Sequence, residues 1–107
     1  MNNILLLLTV LVYSDYAFAG NATGKIVSVF VANNSASILF TLDSQIIDTP
    51  NCNEAKRLSI DLRKPGGMAT YMAILEAKKY GYEVRAEGLN TCINEWNSED
   101  TKFITLK

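Results

Sequence analysis

The chain contains no histidine among its 107 residues, and it holds only two cysteines, two prolines and one tryptophan. Histidine is the commonest general base and the commonest metal ligand. Its absence closes most routes to acid–base, nucleophilic and zinc chemistry. An excess of charge of one sign is also missing: ten Lys and Arg stand against eleven Asp and Glu. A binder of nucleic acid or of an anionic membrane surface carries a basic excess, so neither partner is expected. Ser44, Ser59 and Ser98 lack a Gly-x-Ser-x-Gly elbow. Glu95, Glu99 and Asp100 form neither a carboxylate pair spaced across a cleft nor an Asp-rich calcium loop, and they read as solvated loop charges. The expectation is a non-enzyme, with no catalytic residue, no cofactor and no metal site.

Long apolar runs are scarce. The single one, residues 4–12, is about half the ~20 residues that a membrane span needs. Ser14 and Asp15 follow it, and then Ala17-Phe18-Ala19. That order is the apolar region and small-x-small cleavage pattern of a secretory signal peptide, although Met1-Asn2-Asn3 carries no Lys or Arg. Residues 1–19 are therefore expected to be a leader cut after Ala19. Residues 20–107 would form one small exported domain, periplasmic or secreted, with no membrane association after cleavage. Removing 19 residues from 107 leaves 88, and the loss of Asp15 leaves ten cationic against ten acidic side chains. A domain of this size buries only about 60–65% of its unfolded surface, so a covalent staple matters.

Cys52 and Cys92 can supply that staple. Two cysteines in an exported chain permit one intramolecular pairing, and no CxxC redox spacing is present. Closing a loop of roughly 40 residues is worth about 4 kcal/mol in the chain-entropy account.

Residues 20–24 read as a flexible lead-in. Residues 25–32 are rich in β-branched and aromatic types and read as a strand, and residues 37–42 as a second. A polar loop carries Pro50 and Cys52. Residues 57–62 alternate, with Leu58, Ile60 and Leu62 on one face. After Pro65-Gly66-Gly67, residues 68–80 read as a helix whose apolar stripe is Met68, Tyr71, Met72 and Leu75. Lys78 and Lys79 suit its last turn and Gly81 its end. Residues 82–87 alternate with Tyr82, Val84 and Ala86 inward. Residues 88–100 read as a polar loop and residues 101–106 as a last strand. The fold class is β-rich α+β in the order β-β-β-α-β-β, with one helix and one disulfide. That order suits a five-stranded OB-like barrel with the helix between its third and fourth strands, or an open sheet covered by the helix on one face.

Several residues together resemble an uncharacterised family of small exported gammaproteobacterial proteins. They are Gly24-Lys25-Ile26, Cys52, Arg57-Leu58-Ser59-Ile60-Asp61, the helix up to Gly81, then Val84, Gly88 and Cys92-Ile93-Asn94-Glu95-Trp96 with Ser98-Glu99. Leu89-Asn90 stands where that family carries small residues. The resemblance implies an exported disulfide domain and no particular chemistry. In strand order, size and export the chain is also similar to the OB-fold binding subunits of AB5 toxins, which assemble as glycan-binding pentamers; fold alone does not set function.

Trp96 lies four residues after Cys92 among Asn94, Glu95 and Asn97. A flat ring beside amides and a carboxylate can form a sugar platform, and the same ring can instead pack over the disulfide or cap the barrel. Asn94, Glu95, Trp96 and Asn97 are the candidate ligand contacts. A glycan or another protein is the candidate partner, and a homo-oligomer is the candidate assembly. The pairs Lys56-Arg57 and Arg63-Lys64 read as ordinary surface charge beside Glu54 and Asp61.

Overall fold

A computed structural model describes residues 19–107. The leader expected over residues 1–19 lies outside the described residues apart from Ala19. Five strands and one helix follow in order: β1 (Asn21–Val31), β2 (Ser37–Leu42), β3 (Leu58–Asp61), α1 (Gly67–Tyr80), β4 (Glu83–Gly88) and β5 (Glu99–Leu106). The sheet runs β1-β2-β3-β5-β4 and closes on β1 as a barrel. Only the β3–β5 pair is parallel; the other four are antiparallel.

β1 makes the closure possible. Its first half pairs with β4 from Asn21 to Lys25, and its second half pairs with β2. A register shift between Ile26 and Ser28 bends the strand from one partner to the other, as bulges do at barrel corners. Residues 21–24 are thus strand and not a flexible lead-in. Ala22, Gly24 and Ile26 alternate inward there, and β4 would otherwise keep an open edge.

The core is built from inward residues of the strands: Ala22, Ile26, Ile38, Phe40, Leu58, Ile60, Val84 and Ala86, closed by Ile74 and Ala77 of α1. Each large aliphatic or aromatic side chain buried there contributes about 2 kcal/mol. Of the expected helical stripe, Tyr71 packs against the core, but the other three residues do not. Met68, Met72 and Leu75 are exposed, Met72 at 63%, while Gly67, Ile74 and Ala77 are buried. Gly67 explains the rotation. It packs so closely on the backbone of Asp61 and Leu62 that a side chain there would collide. This contact turns the glycine face inward and the methionines outward. Tyr82 is likewise exposed and stacks on Tyr80 with ring centroids 5.7 Å apart. The helix ends as expected: Gly81 takes a left-handed conformation with φ 73°, and its N–H reaches the Ala77 carbonyl.

Cys52 and Cys92 are bonded, with a Cα–Cα separation of 6.1 Å across a sequence separation of 40. The bridge joins the β2–β3 loop to the β4–β5 loop. Among the described residues no helix is long and apolar enough to cross a membrane.

Candidate functional site

The β4–β5 connection, residues 89–98, carries the four candidate contacts. Its shape is set by Asp100, the second residue of β5. The Asp100 carboxylate accepts hydrogen bonds from Thr91 Oγ1 (2.6 Å), from the Ile93 N–H (2.9 Å) and from the Asn94 N–H (3.0 Å). The Asp100 N–H donates to the Thr91 carbonyl at 2.7 Å. A carboxylate that satisfies several loop donors at once does for a loop what a cap does for a helix: it removes the penalty of unpaired backbone. The disulfide at Cys92 adds a covalent anchor.

The loop's amides turn inward. Asn94 Nδ2 donates to Ser59 Oγ and to the Ile60 carbonyl on β3. This explains why Ser59 is buried although it points out of the barrel. Asn97 Oδ1 accepts from Arg57 Nη2 at 3.2 Å, and the Asn97 carbonyl accepts from the Ala55 N–H. Arg57 also donates from Nε to Ser98 Oγ and lies over the Phe30 ring at 5.8 Å. The Glu95 carbonyl takes the Ser98 N–H and closes the tip.

The apolar side chains turn outward. Trp96 is 71% exposed and Ile93 is 83% exposed. Trp96 therefore neither packs over the disulfide nor caps the barrel. Of the four candidate residues, Asn94 through its Nδ2 and Asn97 through its Oδ1 are engaged within the fold, and Trp96 alone presents a large free surface. The half-buried Glu95 lies beside it.

Beside the loop, a groove of about 390 Å³ runs between it and the start of α1. Its walls include Asp61, Lys64, Thr70, Ile93, Asn94 and Lys102, but not Trp96. Arg63 pairs with Asp61 at 2.9 Å on the rim. The Arg63 guanidinium, bonded to the Asp61 carboxylate, holds that carboxyl below its ordinary range, against the smaller opposing effect of burial. Thr101 Oγ1, also in the groove wall, is the one buried side-chain oxygen without a hydrogen-bond partner among the described residues.

Glu99 is the largest departure from the sequence reading. It is fully buried at 0% exposure, and Asp100 is nearly so. Neither is a solvated loop charge, because β5 begins at Glu99 and not at 101. Glu99 Oε2 accepts from the N–H groups of Gly20 and Asn90, both at 2.9 Å. Its Oε1 accepts from Thr49 Oγ1 at 2.6 Å, and Thr49 Oγ1 in turn accepts from Asn53 Nδ2 at 2.9 Å. A side chain at Gly20 or Gly88 would collide with the Glu99 carboxylate, so both glycines are there for space. Gly20 and Gly88 have no turn to make, and that is the sequence signal that something large lies against them.

Comparisons of the chain with protein families, with curated proteins and with solved structures find no match.

Proposed function

We propose that this chain is an exported, non-enzymatic binding module whose contact surface is the β4–β5 loop. One observation carries the reading: Trp96 stands 71% exposed on a loop held by a disulfide, by Asp100 and by the Asn94 and Asn97 amides. Large aromatic side chains on ordered loops are favoured binding anchors, since a preorganised loop loses little entropy on contact. The disulfide supports an oxidising compartment, and so export.

The partner this surface fits best is another protein. Ile93 and Trp96 offer apolar area, while the Asn94 Nδ2 and the Asn97 Oδ1 that a sugar's hydroxyl groups could use are engaged within the fold. Glycan recognition is the second reading. The adjoining groove favours it, because its volume of about 390 Å³ lies within the usual range of ligand sites, roughly 300–1,000 Å³, and Asp61, Lys64 and Lys102 stand among its lining residues. The outward Met68, Met72 and Leu75 support self-association, which light scattering at micromolar concentration checks; a strict monomer removes that part.

The deciding experiment compares the exported chain with Trp96→Ala in pull-downs from the secretome and on a glycan array. The variant should lose the captured protein by at least about tenfold, a typical anchor effect, while its melting temperature moves by no more than about 2 °C. A glycan signal lost with Trp96 would move the assignment to the second reading. A collapse of the melting temperature would sink the idea of a contact residue.

A further inference from the structure

Glu99 is a buried carboxylate without a cation. Its three donors are two backbone N–H groups and a threonine hydroxyl, all formally neutral. No Lys or Arg nitrogen lies within 4.0 Å of it among the described residues. Buried charges in proteins are normally paired, because an unpaired one forfeits its hydration. One of the three donors is the nitrogen of Gly20, and Gly20 immediately follows the Ala17-Phe18-Ala19 pattern.

We propose that cleavage between Ala19 and Gly20 supplies the missing cation, so that the new α-ammonium of Gly20 forms a buried ion pair with Glu99. The inference rests on the exported reading above. Hydrolysis breaks the Ala19–Gly20 amide. The hydroxyl of water joins the Ala19 carbonyl carbon, which leaves as a carboxylate. The other water proton and the proton released from the new carboxyl go to the Gly20 nitrogen, which becomes an ammonium. A leader peptidase in the export path supplies the catalyst. The pairing geometry exists beforehand, at 2.9 Å, and cleavage changes the charge of a donor already in place.

Three features hold Gly20 there. Its carbonyl accepts the Gly88 N–H at 2.8 Å. The next residue, Asn21, exchanges backbone hydrogen bonds with Ile47 at 3.0 and 2.8 Å. A Cβ at position 20 would collide with the Glu99 carboxylate and the Ile46 side chain, so a larger residue after the cut would have to displace the acid from this pair. The charged groups on the surrounding elements are otherwise engaged or lie apart. Arg57 bonds Ser98 and Asn97, and Asp100 bonds the β4–β5 loop. Asp48 and Glu87, on the neighbouring loop and strand, make no hydrogen bond to Glu99.

The test joins a 20–51 segment, with Gly20 either free or acetylated, to 52–107 at Cys52, and compares urea unfolding of the two oxidised chains. Acetylation keeps the N–H and removes the charge. The free amine should favour the folded state by at least about tenfold, and its α-amino pKa, read by nitrogen NMR at Gly20, should rise above the usual value of about 8. Glu99→Gln should erase the difference between the two chains. Equal unfolding midpoints, or an α-amino pKa at or below the usual value, would overturn the ion pair even if Glu99→Gln fails to fold. Mass spectrometry of the chain exported with its own leader tests the processing separately. A start at Gly20 supports it, and any other start overturns both the processing link and the leader boundary.

Discussion

Glu99 and Asp100 are adjacent acids on one strand, both buried, and each accepts three hydrogen bonds to its carboxylate, yet they organise different regions. The partners of Glu99 come from Gly20, Thr49 and Asn90, at sequence separations of 79, 50 and 9. The partners of Asp100 all lie within nine residues of it. Glu99 therefore senses whether the whole barrel has closed, while Asp100 shapes a single loop. Strand alternation produces the division: neighbouring side chains leave β5 on opposite sides, one toward the barrel end and one toward the β4–β5 connection.

Breaking the Glu99 side should have the largest effect. Glu99→Ala strands two backbone donors and a hydroxyl in a buried site, and we expect a loss on the order of 5 kcal/mol, measured by urea denaturation of the oxidised chain. Disrupting the bridge that joins the two regions comes next. Replacing Cys52 and Cys92 together with Ser should remove about 4 kcal/mol, and the loss should be seen with both loops otherwise intact. Asp100→Ala should cost about 2 kcal/mol and act locally. Hydrogen exchange should quicken at the Ile93 and Asn94 amides, while β1 and β2 keep their protection; fast exchange across the barrel would erase the contrast between the two acids.

The smallest effect comes from acid. The Asp61 carboxyl is held below its ordinary range in the folded chain, chiefly by the hydrogen bond from Arg63. Its contribution is thus present above the unfolded value of about 3.9 and fades as the pH falls through the lower folded value. Arg63 is largely exposed, so the loss should be slight. Asp61→Asn should flatten only that part of the pH–stability curve below about 4, and a large effect near neutrality would show that Asp61 does more than pair with Arg63.

Much of the barrel was readable residue by residue. Leu58 and Ile60 alternate inward as written, Val84 and Ala86 do the same, and Gly81 ends the helix. Three features were not. Periodicity puts the apolar stripe of α1 on Met68, Tyr71, Met72 and Leu75, and of these only Tyr71 packs on the core, because periodicity shows that a helix has an apolar face but not which of two faces turns inward. A backbone contact at Gly67 decided that. The sequence leaves Trp96 between surface and core, since its neighbours are polar in both cases. Its exposure follows from Asn94 and Asn97 bonding inward and turning the ring out. Glu99 and Asp100 read as loop residues in the sequence, because acidic residues before a strand usually meet water.

The sequence alone determined the element order, the β-rich class and the cysteine pairing, since hydrophobic period, helix-ending glycine and cysteine count are local quantities. Closure of the barrel through both halves of β1, the rotation of the helix and the burial of Glu99 were decided only by tertiary structure. Each depends on a close approach that hydrophobic period does not encode: Gly67 against the Asp61 backbone just before the helix, and, across longer stretches of chain, Asn21 on Ile47 and Gly20 on the Glu99 carboxylate. An acid's environment is set by what folds around it, so two neighbouring carboxylates that read alike in sequence come to hold different parts of the molecule.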